Sequence, residues 1–234
     1  MDTGTFERIE KKWRITPEQF NQLLPVAEKY MCYDSHGQST VCSEFFDTED
    51  FYLIRKSVER PPFKEKIRIR SYGVPSEDSP VFVEIKRKLN GRGYKRRISV
   101  PYCEAKRLMN GEAINSADSQ IEREIGELVN RYKPKSVAVV CCERIAMFEK
   151  GNDDFRITFD LNIRYRTENT DLTCGDYGEP VINDERNIVM EVKSSFGVPK
   201  WLEDELTRLK IYREPFSKIG TAYTYHIAKN EREK

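Results

Sequence analysis

Lys66-Ile67-Arg68-Ile69-Arg70 alternates three cations with two isoleucines. Successive side chains of a strand point to opposite faces, so this segment carries one cationic row and one apolar row. The same period of two returns along most of the chain. Arg8, Glu10, Lys12 and Arg14 oppose Ile9, Trp13 and Ile15, and Glu84, Lys86 and Lys88 oppose Val81, Val83 and Ile85. Lys95 and Arg97 oppose Ile98 and Val100, and Arg144 opposes Ile145. Arg156, Thr158, Asp160 and Arg164 oppose Ile157, Phe159, Leu161 and Ile163, and Glu191 and Lys193 oppose Met190 and Val192. The pattern predicts strands over 5–15, 39–47, 64–72, 80–89, 93–100, 136–148, 154–164 and 187–195. The turn Gly91-Arg92-Gly93 joins two of them as a hairpin.

Helices are predicted between these strands. Thr16-Pro17-Glu18-Gln19 has threonine at the N-cap, proline at N1 and glutamine at N3, opening a helix that runs to Tyr30. A turn and short helix follow Asp47. Further helices are expected over 102–110, 117–132 and 199–210; the second of these places Ile121, Ile125, Leu128 and Val129 on one face. Residues 167–186 read as a polar excursion, a final segment starts at Ser217-Lys218, and 229–234 read as a frayed end. Eight strands in hairpin-like succession suit a small closed barrel with helices packed outside. The predicted class is α+β, an eight-stranded antiparallel barrel in a single domain over 1–234. Alternation by itself also suits an antiparallel sandwich with polar outer faces.

Composition narrows the chemistry. Of 234 residues, 38% are hydrophobic and 34% charged, and 40 basic against 39 acidic residues leave a net charge of +1. A nonspecific nucleic-acid binder carries a basic excess. Any polyanion site must therefore come from local segregation of charge. The N-terminus lacks the apolar stretch of a signal peptide, and the longest apolar run, Val137–Cys142, is too short to span a bilayer. The chain reads as soluble and cytoplasmic. Six cysteines without a CxxC pair, and only two histidines, argue for structural thiols over a zinc site.

On the charged faces, cations outnumber the carboxylates Glu10, Glu84, Asp160 and Glu191. Arginine and lysine are natural partners of phosphate oxygens. A few carboxylates among them suit Mg²⁺ or Mn²⁺, which take oxygen ligands and are often shared with a substrate phosphate. Aromatics for base stacking are not evident on these faces, which argues against nucleic acid.

The ordered motifs resemble the triphosphate tunnel metalloenzymes (the CYTH superfamily), and within them the catalytic domain of VTC-type polyphosphate polymerases. Phe6-x-Arg8-x-Glu10-x-Lys12-Trp13 is similar to that domain's first strand, where the wider superfamily has ExExK; Arg8 replaces the first glutamate. Phe45-Phe46-Asp47-Thr48 resembles a Y-F-D-T segment, and Lys66 to Gly73 a K-x-R-x-R-x-Y-G strand. Glu84-Ile85-Lys86 and Glu191-Val192-Lys193 resemble two E-x-K strands, Lys95-Arg96-Arg97 the basic strand between them, and Ser217-Lys218 a terminal S-K pair.

The resemblance implies a cationic tunnel holding ATP and inorganic polyphosphate. Lys12, Arg68, Arg70, Lys86 and Arg144 would act in catalysis. Arg8, Lys66, Lys95, Arg97, Lys193, Ser217 and Lys218 would bind phosphate. Glu191, with Glu10 and Glu84, would hold Mn²⁺ or Mg²⁺. The implied reaction passes the γ-phosphate of ATP to a growing chain. A triphosphatase using water as acceptor, and a noncatalytic polyphosphate or inositol-phosphate sensor, remain alternatives. A membrane-protein partner is left open.

Overall fold

Alternation and capping signals both become elements in the computed structural model, which describes residues 9–59, 61–90, 92–114 and 120–228. In chain order these are β1 (Ile9–Ile15), α1 (Pro17–Tyr30), β2 (Met31–Asp47), α2 (Tyr52–Glu59), β3 (Phe63–Tyr72), β4 (Pro80–Leu89) and β5 (Arg92–Pro101). Then come α3 (Tyr102–Met109), α4 (Gln120–Tyr132), β6 (Lys135–Glu149), β7 (Asn152–Arg166), β8 (Glu179–Pro180), β9 (Ile188–Ser194), α5 (Lys200–Arg208) and α6 (Lys218–Ala222). Arg8, Gly91 and the expected frayed end lie outside the described residues.

Local chemistry explains the helix starts. Thr16 Oγ1 accepts from the Gln19 amide at 3.1 Å, and Gln19 Oε1 accepts from the Thr16 amide at 3.0 Å, completing a capping box. Asp47, fully buried, accepts from the amides of Thr48, Leu53 and Ile54 at 2.8 Å each and so satisfies the first turn of α2. The largest departure from the pattern is β2. It starts at Met31, not at 39, because ladder pairing sustains Cys32–Gln38 without an apolar row of its own.

Eight strands run in the order β1-β9-β7-β6-β2-β3-β4-β5, with β8 off this path against β7. The eight match the eight expected. Ring closure was expected; among the described residues the hydrogen-bonded path has two ends, β1 and β5. Along β5, residues 92–97 are all exposed and include Arg92, Lys95, Arg96 and Arg97, charges that discourage further pairing on an edge.

The chain folds as two compact units. Unit 1 comprises 1–39, 142–163 and 182–217; unit 2 comprises 40–141, 164–181 and 218–234. In unit 1 the apolar rows Trp13–Ile15, Phe155–Ile157–Phe159 and Met190–Val192 pack beneath Phe20 and Leu23 of α1 and Leu202 and Leu206 of α5. Phe20 meets Phe159 edge-on at 5.1 Å. In unit 2, Ile67, Ile69, Val81, Val83, Ile85 and Val100 pack beneath α3 and α4 through Tyr102, Leu108, Ile125 and Leu128. Each such buried side chain contributes about 1.5–3 kcal/mol. This burial sets strand parity: with the isoleucines of β3 under the helices, Lys66, Arg68 and Arg70 must take the other face. Among the described residues no helix is long and apolar enough to cross a membrane.

Candidate phosphate-binding site

In unit 2 the register of β3, β4 and β5 stacks the charged positions in rungs. Lys66 pairs with Lys86, which pairs with Lys95. The next rung is Arg68, Glu84 and Arg97, and the one after is Arg70, Phe82 and Ser99. Like charges directly opposite on a sheet repel. This face sets six cations against the single carboxylate of Glu84.

Glu84 is 1% exposed. Its Oε2 accepts from Arg68 Nε at 2.8 Å and Nη2 at 2.7 Å and lies 3.8 Å from Arg70 Nε; its Oε1 lies 2.5 Å from Lys95 Nζ. Burial would raise the carboxyl pKa, but Arg68, Arg70 and Lys95 outweigh it and hold it at about 2. Lys95 moves the other way. Partial burial of its ammonium, with Arg70 and Arg68 adding repulsion, prevails over the attraction of Glu84 and lowers it to about 8. Two arginines also rest on aromatic rings: Arg97 lies 4.8 Å from the Phe82 centroid and Arg68 5.8 Å from that of Phe45.

The charged face of unit 1 is mixed. Glu10, Lys193 and Arg156 form one rung; Lys12, Glu191 and Thr158 the next; Arg14, Val189 and Asp160 the third. Lys12 Nζ bridges Glu10 at 3.0 Å and Glu191 at 3.2 Å and reaches the Phe216 carbonyl at 3.4 Å. Burial would lower the Lys12 pKa, yet Glu191 and Glu10 raise it above the ordinary value, so the ammonium is held charged. Lys193 Nζ meets the other oxygen of Glu191 at 2.8 Å.

Arg144 donates to both oxygens of the fully buried Asp160, at 2.6 and 2.9 Å. Burial opposes its charge, but Asp160 more than compensates and pushes the guanidinium pKa up. The Thr158 hydroxyl, beside Glu191 in its rung, is buried without a hydrogen-bond partner. A buried hydroxyl without a partner is available to an exogenous polar group.

The site residues expected from sequence thus divide. Unit 1 gathers Glu10, Lys12, Arg144, Glu191 and Lys193, and unit 2 gathers Lys66, Arg68, Arg70, Glu84, Lys86, Lys95 and Arg97. Ser217 is the last residue of unit 1, Lys218 opens α6 in unit 2, and Arg8 lies outside the described residues. Thr158 and Asp160 share the parity of the charged face but were not assigned to the site; cross-strand register and the ion pair with Arg144 bring them in. Arg87, whose parity suggests a solvated side chain, instead pairs with Glu65 at 3.1 Å and Glu124 at 3.0 Å. Among the described residues, no group of three or more His, Cys, Asp or Glu side chains is placed to hold a metal on its own.

Residues 7–227 match the model of the VTC domain family. No curated protein matches the chain. Among solved structures, a Bacillus halodurans protein named as a candidate adenylate cyclase aligns with a TM-score of 0.53 at 13% identity, over 90% of this chain and 95% of its own. A Hippeastrum protein, named as a candidate adenylyl cyclase and described as having a dominant triphosphatase activity, aligns with a TM-score of 0.48 at 15% identity, over 97% and 96% of the two chains. At such identities the first of these likenesses is one of fold alone.

Proposed function

The chain belongs to the VTC domain family, and on that premise we propose that it is a polyphosphate polymerase that moves the γ-phosphoryl group of ATP onto the end of an inorganic polyphosphate chain. The observation that carries this reading is the lysine rung Lys66–Lys86–Lys95 beside Arg68, Arg70 and Arg97. Six cations gathered on one face of three adjacent strands suit a run of phosphates. Arg8, which stands where the wider superfamily has a glutamate, supports the polymerase branch of the family.

In the proposed reaction a terminal oxygen of the chain attacks the γ-phosphorus. A new P–O–P bridge forms, the bond to the β-phosphate oxygen breaks, and ADP leaves. Such transfers need positioning and charge neutralisation more than covalent chemistry from the protein. Arg68 and Arg70, aligned by Glu84, grip the phosphates as planar forks. Lys12 and Arg144 act as fixed cations, the first held by Glu10 and Glu191, the second by Asp160. Lys66, Lys86, Lys95 and Arg97 extend the grip within unit 2, and Lys193, Arg8, Ser217 and Lys218 are assigned to phosphate by family resemblance.

The donor set fits a hard divalent cation at one place. Glu10 and Glu191 offer carboxylate oxygens on adjacent strands, and the unpartnered hydroxyl of Thr158 lies beside Glu191 in its rung. Mg²⁺ is commonly bound by one or two carboxylates plus substrate phosphates. Bound there, Mg²⁺ or Mn²⁺ would supply charge neutralisation to the phosphates. Glu84 fits that role less well, since its rungs hold three cations around it and no second carboxylate; its assigned work is to orient Arg68 and Arg70.

The test is to incubate the purified chain with ATP and Mn²⁺ and resolve the products by gel electrophoresis. Long polyphosphate with stoichiometric ADP is expected. Orthophosphate without chains would make the protein a hydrolase, and phosphate binding without turnover would make it a sensor. Arg70→Ala should keep its fold and lose about 100-fold in rate, the equivalent of one transition-state donor.

A further inference from the structure

Two aromatic side chains share the cationic face of unit 2, where none was evident from sequence. Phe82 has the parity of Glu84, Lys86 and Lys88, and Tyr72 has that of Lys66, Arg68 and Arg70. Register seats Phe82 between Arg70 and Ser99. Tyr72 ends β3, two residues past Arg70. The two rings meet edge to face, with centroids 6.2 Å apart and planes at 89°. Tyr72 is 41% exposed and Phe82 half-buried. The apolar rows on the opposite face of the sheet pack under α3 and α4, and neither ring joins that core.

A planar cation completes the surface. Arg97 stands opposite Glu84, yet it reaches diagonally across β4 and sets its guanidinium 4.8 Å from the Phe82 centroid. One end of the face therefore holds two rings and a guanidinium, directly beside Arg70. The next pair past Phe82 is Pro80 opposite Pro101, which carries no charge. In the other direction lie Arg68 and then the rung Lys66–Lys86–Lys95. The face reads rings, arginines, lysines.

From this juxtaposition we propose that Tyr72 and Phe82, with Arg97 at the junction to the phosphates, form the subsite for the nucleobase of ATP. The inference rests on the phosphate reading of the same face and adds a binding direction to it. Nucleobases stack on aromatic rings and on guanidinium planes. A strand rises about 3.3 Å per residue, so Arg70 and Arg68 lie about 7 and 13 Å along β3 from Tyr72. A base held at Tyr72 lays its ribose and triphosphate along those arginines, with the γ-phosphate pointing to the lysine rung. A nucleotide lying the other way round would carry its phosphates off the charged rows, towards Pro80 and Pro101.

Binding without turnover tests this. The full chain is titrated calorimetrically with a nonhydrolysable ATP analogue and, separately, with inorganic tripolyphosphate, which has the phosphates and no base. Tyr72→Ala and Phe82→Leu should each weaken the ATP analogue by about tenfold and leave tripolyphosphate binding unchanged. Tyr72→Phe, which keeps the ring, should bind both as the wild type does, and Arg70→Ala should weaken both. The melting temperature checks that each variant folds, and Tyr72→Ala, at the half-exposed end of its strand, serves if Phe82→Leu does not fold. An undiminished affinity for the ATP analogue in the folded variants would overturn the proposal, as would an equal loss of both ligands. Tighter binding of a short single-stranded oligonucleotide than of the ATP analogue would also overturn it, giving the rings to a nucleic acid. Wild-type binding of tripolyphosphate alone would keep the phosphate site and remove the nucleobase subsite; binding of neither would remove both. Selective loss of the ATP analogue in a chain that makes no polyphosphate would uphold the subsite and overturn only the polymerase reading.

Discussion

Lys95 shows at the scale of one residue how crowded charge turns into a measurable property. Its ammonium lies 2.5 Å from Glu84, yet it titrates at about 8 because burial and two neighbouring arginines oppose the proton. A bound phosphate chain would favour the charged form and raise that value. Proton and phosphate binding are then linked, and affinity is full below pH 8 and falls as pH rises through it, by up to about tenfold per pH unit. Isothermal titration with a short polyphosphate at pH 7 and pH 9 should show the loss. Lys95→Arg, whose guanidinium does not titrate in this range, should remove it. Period-two alternation places Lys95 on the right face from sequence alone. The cross-strand position of Glu84, which sets the titration, depends on register that no single strand encodes.

Among the elements, α1 is the one whose start can be read residue by residue. Thr16, Pro17 and Gln19 predict the capping box, and both of its hydrogen bonds form. Thr16→Ala should therefore cost about 1 kcal/mol in chemical denaturation, with Thr16→Ser restoring most of it. The start of α2 was only partly legible. Asp47 marks the turn, but its burial and its reach to the amides of Leu53 and Ile54 follow from packing around it. The first eight residues of β2 were not legible, since their neighbours in the ladder hold them extended without an apolar row. Local signals thus predict elements well where the bonding groups are close in sequence and poorly where the partner lies on another strand.

For the whole molecule, a net charge of +1 hides strong segregation. The unit 2 face collects lysines and arginines, while Glu65, Glu124, Glu44 and Asp47 are spent under the helices. Glu44 is one such internal partner, fully buried with Tyr102 Oη at 3.0 Å and Lys106 Nζ at 2.8 Å. Binding of a phosphate chain should therefore depend steeply on salt despite the near-neutral balance. Raising ionic strength from about 0.05 to 0.5 M should weaken it by more than about tenfold, as fluorescence anisotropy of a labelled polyphosphate would show.

The amino-acid sequence by itself determined the strand faces, most helix boundaries and the order of motifs that mark the family, because each depends on a repeat of two to four residues or on groups adjacent in the chain. Only the tertiary structure decided which charges meet. It set three lysines in one rung, Glu84 among three cations, Lys12 between two carboxylates, and Asp160 under Arg144. It also decided where helices stop covering the unit 2 sheet, leaving Phe63, Leu89 and Tyr94 outside the core. The physical reason is common to all of these: electrostatic and packing energies depend on distance in space, and strand pairing brings together residues far apart in sequence.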